Sequence, residues 1–100
     1  MTMASETAVA AAIRQRLGVL EPELVELHDE SGEHIGHAGA RDGGGHYRLL
    51  IVSRRFLGQR AVARHRLVYQ ALADMMQRQI HALAISAYTP DELDSAFPSQ

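Results

Sequence analysis

The stretch His46–Tyr88, HYRLLIVSRRFLGQRAVARHRLVYQALADMMQRQIHALAISAY, decides the fold. Its opening, His46 to Ser53, is aliphatic and β-branched at the centre, the composition of a strand packed on a core. Arg54-Arg55-Phe56-Leu57-Gly58 reads as a turn. From Gln59 to about Arg78 a helical period takes over. Ala61, His65, Val68, Leu72, Met75 and Met76 share one side of the wheel, and Arg66, Gln70, Asp74 and Gln77 the other. Met75 and Met76 therefore read as packing residues and His65 as a buried histidine tied to a backbone group. Ile80 to about Tyr88 then predicts a strand with Leu83, Ile85 and Ala87 on one side. The long helix between the two strands lets the second return beside the first.

Working outward, Val9, Ile13 and Leu17 recur at a spacing of four, predicting a helix capped by Ser5 and stopped by a left-handed Gly18. Glu23 to His28 alternates as a strand, with His28 outward. Asp29 to Gly45 holds six glycines and reads as a flexible loop. Thr89 and Pro90 begin a short terminal helix, as cap and first helical residue. The order α-β-β-α-β predicts a two-layer α+β sandwich, a three-stranded sheet with helices on one face and its first two strands antiparallel. Residues 1–100 are expected to form one domain, with an ordered core over about 5–94.

Composition narrows the function classes. No apolar run approaches the roughly 18 residues of a membrane span. The first residues lack the pattern of a secretory signal, and the chain has no cysteine, so a cytoplasmic protein is expected. The net charge of −2 hides a division. Residues 1–40 carry two arginines against seven acids (−5), residues 41–78 eight arginines against two acids (+6), and the remainder −3. Arg54, Arg55, Arg64 and Arg66 belong to the basic segment and are the candidate contacts for phosphate or an anionic partner; an ordinary solvated helix face explains them as well. No nucleophile–base motif and no phosphate-cradling Gly-x-x-x-x-Gly-Lys occurs, so neither an enzyme nor a small-molecule substrate is expected.

Six histidines stand against no thiol. His28, His34, His37 and His46 lie in or beside the glycine-rich segment, and His81 opens the last strand. Imidazole is the commonest metal ligand, but His34-x-x-His37 alone is a weak metal motif, because structural zinc sites need four preorganised ligands. His46 reads as a structural residue near the loop, with ligation as its reserve role.

Several separated motifs, in order, carry a family resemblance. Phe56 and Gly58 form a Phe-x-Gly turn; Val62, Arg64, His65, Arg66, Val68 and Tyr69 form Val-x-Arg-His-Arg-x-Val-Tyr on the long helix. His81-Ala82-Leu83 opens the last strand, which Thr89-Pro90 follows. His46-Tyr47, Ile51-Val52-Ser53 and Asp29-Glu30-Ser31-x-x-His34 add upstream matches. From about Ala10 to Glu92 the chain resembles the BolA family. That resemblance implies an α-β-β-α-β domain similar to class II KH domains. It also implies a heterodimer with a monothiol glutaredoxin that shares a glutathione-assisted 2Fe–2S cluster in iron–sulfur trafficking and iron regulation. The histidine of the family's His-Ala-Leu strand is a cluster ligand, which falls here on His81. The second ligand comes from the first interstrand loop: counting forward from Asp29-Glu30-Ser31 selects His34, and counting back from His46 selects His37. The loop departs here from the family's usual Val-Pro-x-Gly-Ser-Glu run.

Such a cluster suits the composition. Two histidines can replace two cysteines on one iron, which raises the reduction potential, and the thiols would come from the partner and glutathione. The isolated chain is expected to hold no cluster tightly. The alternative implied by the resemblance is a DNA-binding transcriptional regulator acting through the arginine-rich helix. KH domains clamp single strands with Gly-x-x-Gly, and Gly58-Gln59-Arg60-Ala61 lacks the second glycine.

Overall fold

Helix α1 (Ala8–Leu17) is capped by Thr7, whose side-chain oxygen accepts the Ala10 amide at 3.1 Å. The cap is thus Thr7; Ser5 lies outside the residues that the computed structural model describes, 7–30 and 45–96. Ile13 and Leu17 on the helix stripe are fully buried, each contributing about 1.5–3 kcal/mol by leaving water. Gly18 is not the left-handed stop. It stays right-handed (φ −57°), the chain tightens into a 3-10 turn over Gly18–Leu20 that buries Leu20, and Glu21 takes the left-handed φ of 51°.

Strands β1 (Leu24–Asp29) and β2 (Gly45–Val52) pair antiparallel from Leu24↔Val52 to Asp29↔Tyr47. Asp29 and Gly45, expected in the loop, are therefore ladder residues, while residues 31–44 lie outside the described part of the chain. Strand β3 (Ile80–Tyr88) lies parallel to β2 on its other side, giving the order β1-β2-β3. Alternation sends Val25, Leu27, Tyr47, Leu49, Ile51, Leu83, Ile85 and Ala87 to one core, where Ile13, Leu17, Phe56, Val68 and Leu72 meet them.

Ser53 leaves the ladder. Its buried hydroxyl donates to the Leu20 carbonyl (2.6 Å) and accepts the Arg55 amide (3.0 Å), tying the end of β2 to the turn after α1. The next 3-10 turn, Arg54–Phe56, drives Phe56 fully into the core, and Gly58 supplies the positive φ (77°) that brings the chain out again.

Helix α2 (Ala61–Leu72) ends six residues before the Arg78 boundary that the periodicity predicts. Ala73 adopts a φ of 53° and the chain continues as a 3-10 turn to Gln77. The break swings Met75 into the core at 2% exposure, and the Leu72 carbonyl accepts Arg16 Nη1 at 2.8 Å. His65 departs from its expected burial and backbone tie. It is half-buried and, among the described residues, makes no hydrogen bond to a backbone group; Val68 and Leu72 hold the helix down instead. Helix α3 (Pro90–Ala96) opens on a reciprocal box in which the Glu92 amide donates to Thr89 Oγ1 (3.3 Å) and the Thr89 amide to Glu92 Oε1 (3.0 Å). Among the described residues no helix is long and apolar enough to cross a membrane.

Candidate ligand and partner site at the sheet end

The β2–β3 ladder slips at one end. Gly45 partners Ile80, but His46 partners Ala82, so His81 is the extra residue of a bulge. A bulge re-aims a side chain that strict alternation would assign to one face or the other. Here the His81 ring lies beside that of His46, with centroids 5.1 Å apart and planes tilted by 34°. His81 is exposed and His46 half-buried.

The residues next to this pair are pinned. The Glu30 amide donates to the His46 carbonyl at 2.7 Å, and the Gly45 amide to the Gln79 carbonyl at 2.9 Å. Ile80 and Tyr47 are 2% and 6% exposed and anchor the two histidines through the backbone. Gly45 is required because a Cβ there would meet the Tyr47 ring. Burial pushes the Tyr47 phenol above its ordinary value. Arg48 forms an ion pair with Glu30 at 2.9 Å. Glu30 and Gly45 also bracket residues 31–44, so the segment carrying His34 and His37 leaves and rejoins the chain beside His46 and His81. His34 and His37 themselves lie outside the described residues. Among the described ones no three His, Cys, Asp or Glu side chains converge on a metal position, and His28 is exposed further along β1.

The four arginines part company. Arg64 is a structural hub with a side chain only 12% exposed. It donates from Nε to the Gln59 carbonyl (2.8 Å), from Nη1 to the Ala87 carbonyl (3.1 Å), and to both Glu92 oxygens, Nη2–Oε2 being 2.9 Å. Its guanidinium also lies 5.9 Å from the Phe56 ring centroid. This arrangement holds the Glu92 carboxyl down at about 2 and pushes the Arg64 guanidinium further up. Arg54 pairs with Glu23 (2.9 Å) and Arg55 with Glu21 (2.8 Å), both on exposed side chains that phosphate could draw away at small cost. Arg66 is exposed on α2 and makes no ion pair among the described residues.

Sequence reasoning missed the His46–His81 pair, which depends on a register slip that leaves no local mark. It also missed Glu92 as the partner of Arg64, although Thr89-x-x-Glu92 is itself a legible capping pattern.

Sheet order, helix placement and the histidine pair define a small α+β domain with His46 and His81 together at one end of a mixed sheet. The chain belongs to the BolA-like family: residues 17–92 match the family model described as BolA-like protein. It is 48% identical over 83 residues to human BolA-like protein 1, a match covering 82% of this chain and 58% of that protein. It is 36% identical over 85 residues to the DNA-binding transcriptional regulator BolA of Escherichia coli (strain K12), covering 80% of this chain and 78% of that one. The solution structure of BolA1 from Mus musculus superposes with a TM-score of 0.76 at 40% identity, covering all of this chain and 79% of the mouse chain.

Proposed function

We propose that this chain is a non-enzymatic accessory protein of iron–sulfur handling. It pairs with a monothiol glutaredoxin as a heterodimer and shares a glutathione-assisted 2Fe–2S cluster. The observation that carries the reading is the position of His81: exposed, displaced from the strand alternation by the bulge, and next to the residues from which the His34/His37 segment departs. The donor set fits half of such a cluster. This chain offers imidazole and no thiol, which suits a cluster whose other ligands are thiolates of the partner and glutathione, as the family resemblance implies. His81 and one of His34 or His37 would hold the iron on this side; bound, the cluster is a labile, transferable cargo with one-electron chemistry. The bulge and the buried neighbours leave the His81 ring exposed, where a docked partner would reach it.

The test is coexpression with a monothiol glutaredoxin, followed by visible absorption and circular dichroism of the purified complex. A coloured heterodimer whose spectrum is lost in His81→Ala, and altered by His34→Ala or His37→Ala, supports the assignment. An unchanged spectrum in His81→Ala rejects it.

A second reading, a transcriptional regulator that binds DNA, draws on the name of the Escherichia coli relative and on exposed Arg66 with the loosely paired Arg54 and Arg55. Arg64 contributes less to it, because its donors are committed to Gln59, Ala87 and Glu92.

A further inference from the structure

We infer that His46 and His81 form a two-imidazole site for a single divalent transition cation, available to this chain without a protein partner. The separation of the rings is the first argument. A ligated imidazole places its centroid about 3.2 Å from the ion, the ~2.0–2.1 Å bond plus the ring radius, so two such rings at a tetrahedral angle lie about 5 Å apart. The observed centroid distance is 5.1 Å. The right-angle cis arrangement that Cu2+ and Ni2+ prefer brings the centroids to about 4.5 Å, so the observed spacing lies within reach of either geometry.

Rigidity is the second argument. His46 lies on β2, the central strand, between Gly45 and buried Tyr47, and His81 follows buried Ile80 on the adjoining strand. Hydrogen bonds from Glu30 and Gly45 fix the backbone on both sides. The rings therefore start near their ligating separation, and little conformational freedom is lost when an ion joins them.

The donors decide the class of ion. Imidazole nitrogen without thiolate suits Cu2+, Ni2+ and Zn2+, with Cu2+ bound most tightly of the three, and discriminates against Ca2+ and Mg2+, which take oxygen. The nearest fixed cation on β2, Arg48, is offset by Glu30 at 2.9 Å. Two protein nitrogens leave the remaining positions to water or to an incoming ligand. The site shares only His81 with the cluster reading, so the two can fail separately.

The experiment is titration of the purified chain with Cu2+, followed by visible absorption and electron paramagnetic resonance, with Zn2+ as competitor. The expected result is one Cu2+ per chain with two coordinated nitrogens. His46→Ala and His81→Ala should each raise Kd by at least the roughly 10–100-fold that loss of even an outer-shell partner costs. His46→Gln repeats the test with a polar side chain of similar size, and circular dichroism verifies that each variant folds. His28→Ala and the double variant His34→Ala/His37→Ala should keep both the affinity and the two-nitrogen signature. Affinity unchanged in folded His46→Ala and His46→Gln, or a signature that disappears only with the loop variant, overturns the site and leaves the His46–His81 contact as packing. Loss of Cu2+ binding in His46→Ala alongside normal cluster assembly with glutaredoxin separates this site from the shared cluster.

Discussion

His46 and His81 are neighbours in space because β3 spends one residue more than β2 where the two strands begin. Gly45 faces Ile80, His46 faces Ala82, and the residue between them brings its ring to 5.1 Å from that of His46. Without the slip, alternation would send adjacent side chains of β3 to opposite faces. The bulge is thus the feature on which the candidate ligand site depends.

Arg64 joins four parts of the fold, so its loss should cost more than that of any exposed arginine. Arg64→Ala removes hydrogen bonds to Gln59, Ala87 and Glu92 from a side chain that is 12% exposed. The expected destabilisation is about 1–3 kcal/mol, mainly from hydrogen bonds to the Gln59 and Ala87 carbonyls, because the Glu92 carboxylate is exposed. Arg64→Lys should recover only part of it, because an ammonium cannot meet the Glu92 carboxylate as a fork. Urea unfolding of both variants checks this; an Arg64→Lys protein as stable as wild type contradicts the hub role.

Glu92 should give stability a specific acid dependence. Its folded-state value is depressed from 4.5 to about 2, first by the hydrogen bond from Arg64 and then by the Thr89 amide. A depressed carboxyl binds fewer protons folded than unfolded, so its contribution is present above about pH 4.5 and falls away as pH drops toward about 2. Unfolding free energies measured across that window should decline less steeply in Glu92→Gln than in wild type. Parallel curves would show that Glu92 does not carry the dependence.

Ser53 is a buried polar residue with both hydrogen-bonding functions used, toward Leu20 and Arg55. Ser53→Ala leaves the Leu20 carbonyl without its donor and should cost about 1–3 kcal/mol. Ser53→Thr retains the hydroxyl but adds a methyl where no exposure remains, so it should not restore full stability. Thermal and urea unfolding measure both.

If the regulator reading holds, duplex DNA affinity should fall as salt rises, and Arg66→Ala should weaken binding with no loss of stability. Arg54→Ala and Arg55→Ala should each reduce the salt slope by about one phosphate contact, since their carboxylate pairs are exposed and exchangeable. Affinity independent of salt and of all three substitutions excludes the arginine surface as the contact.

Much of this protein is legible in its linear order. Periods of two and 3.6 residues assign Leu83, Ile85 and Ala87 to one sheet face and Val68 and Leu72 to the buried side of α2. Composition also tells that nitrogen without sulfur is available, and chain motifs identify the family. These are local properties: a few neighbouring residues suffice to express each of them. Tertiary structure alone decides that α2 stops at Leu72, since the reason is the burial of Met75 and an Arg16 donor 56 positions away. It decides that Arg64 turns toward Glu92 and Ala87 while Arg66 stays in water. It also decides that His81 meets His46, because strand register is set by the packing of whole strands against a shared core, and no period within either strand records where the other will slip.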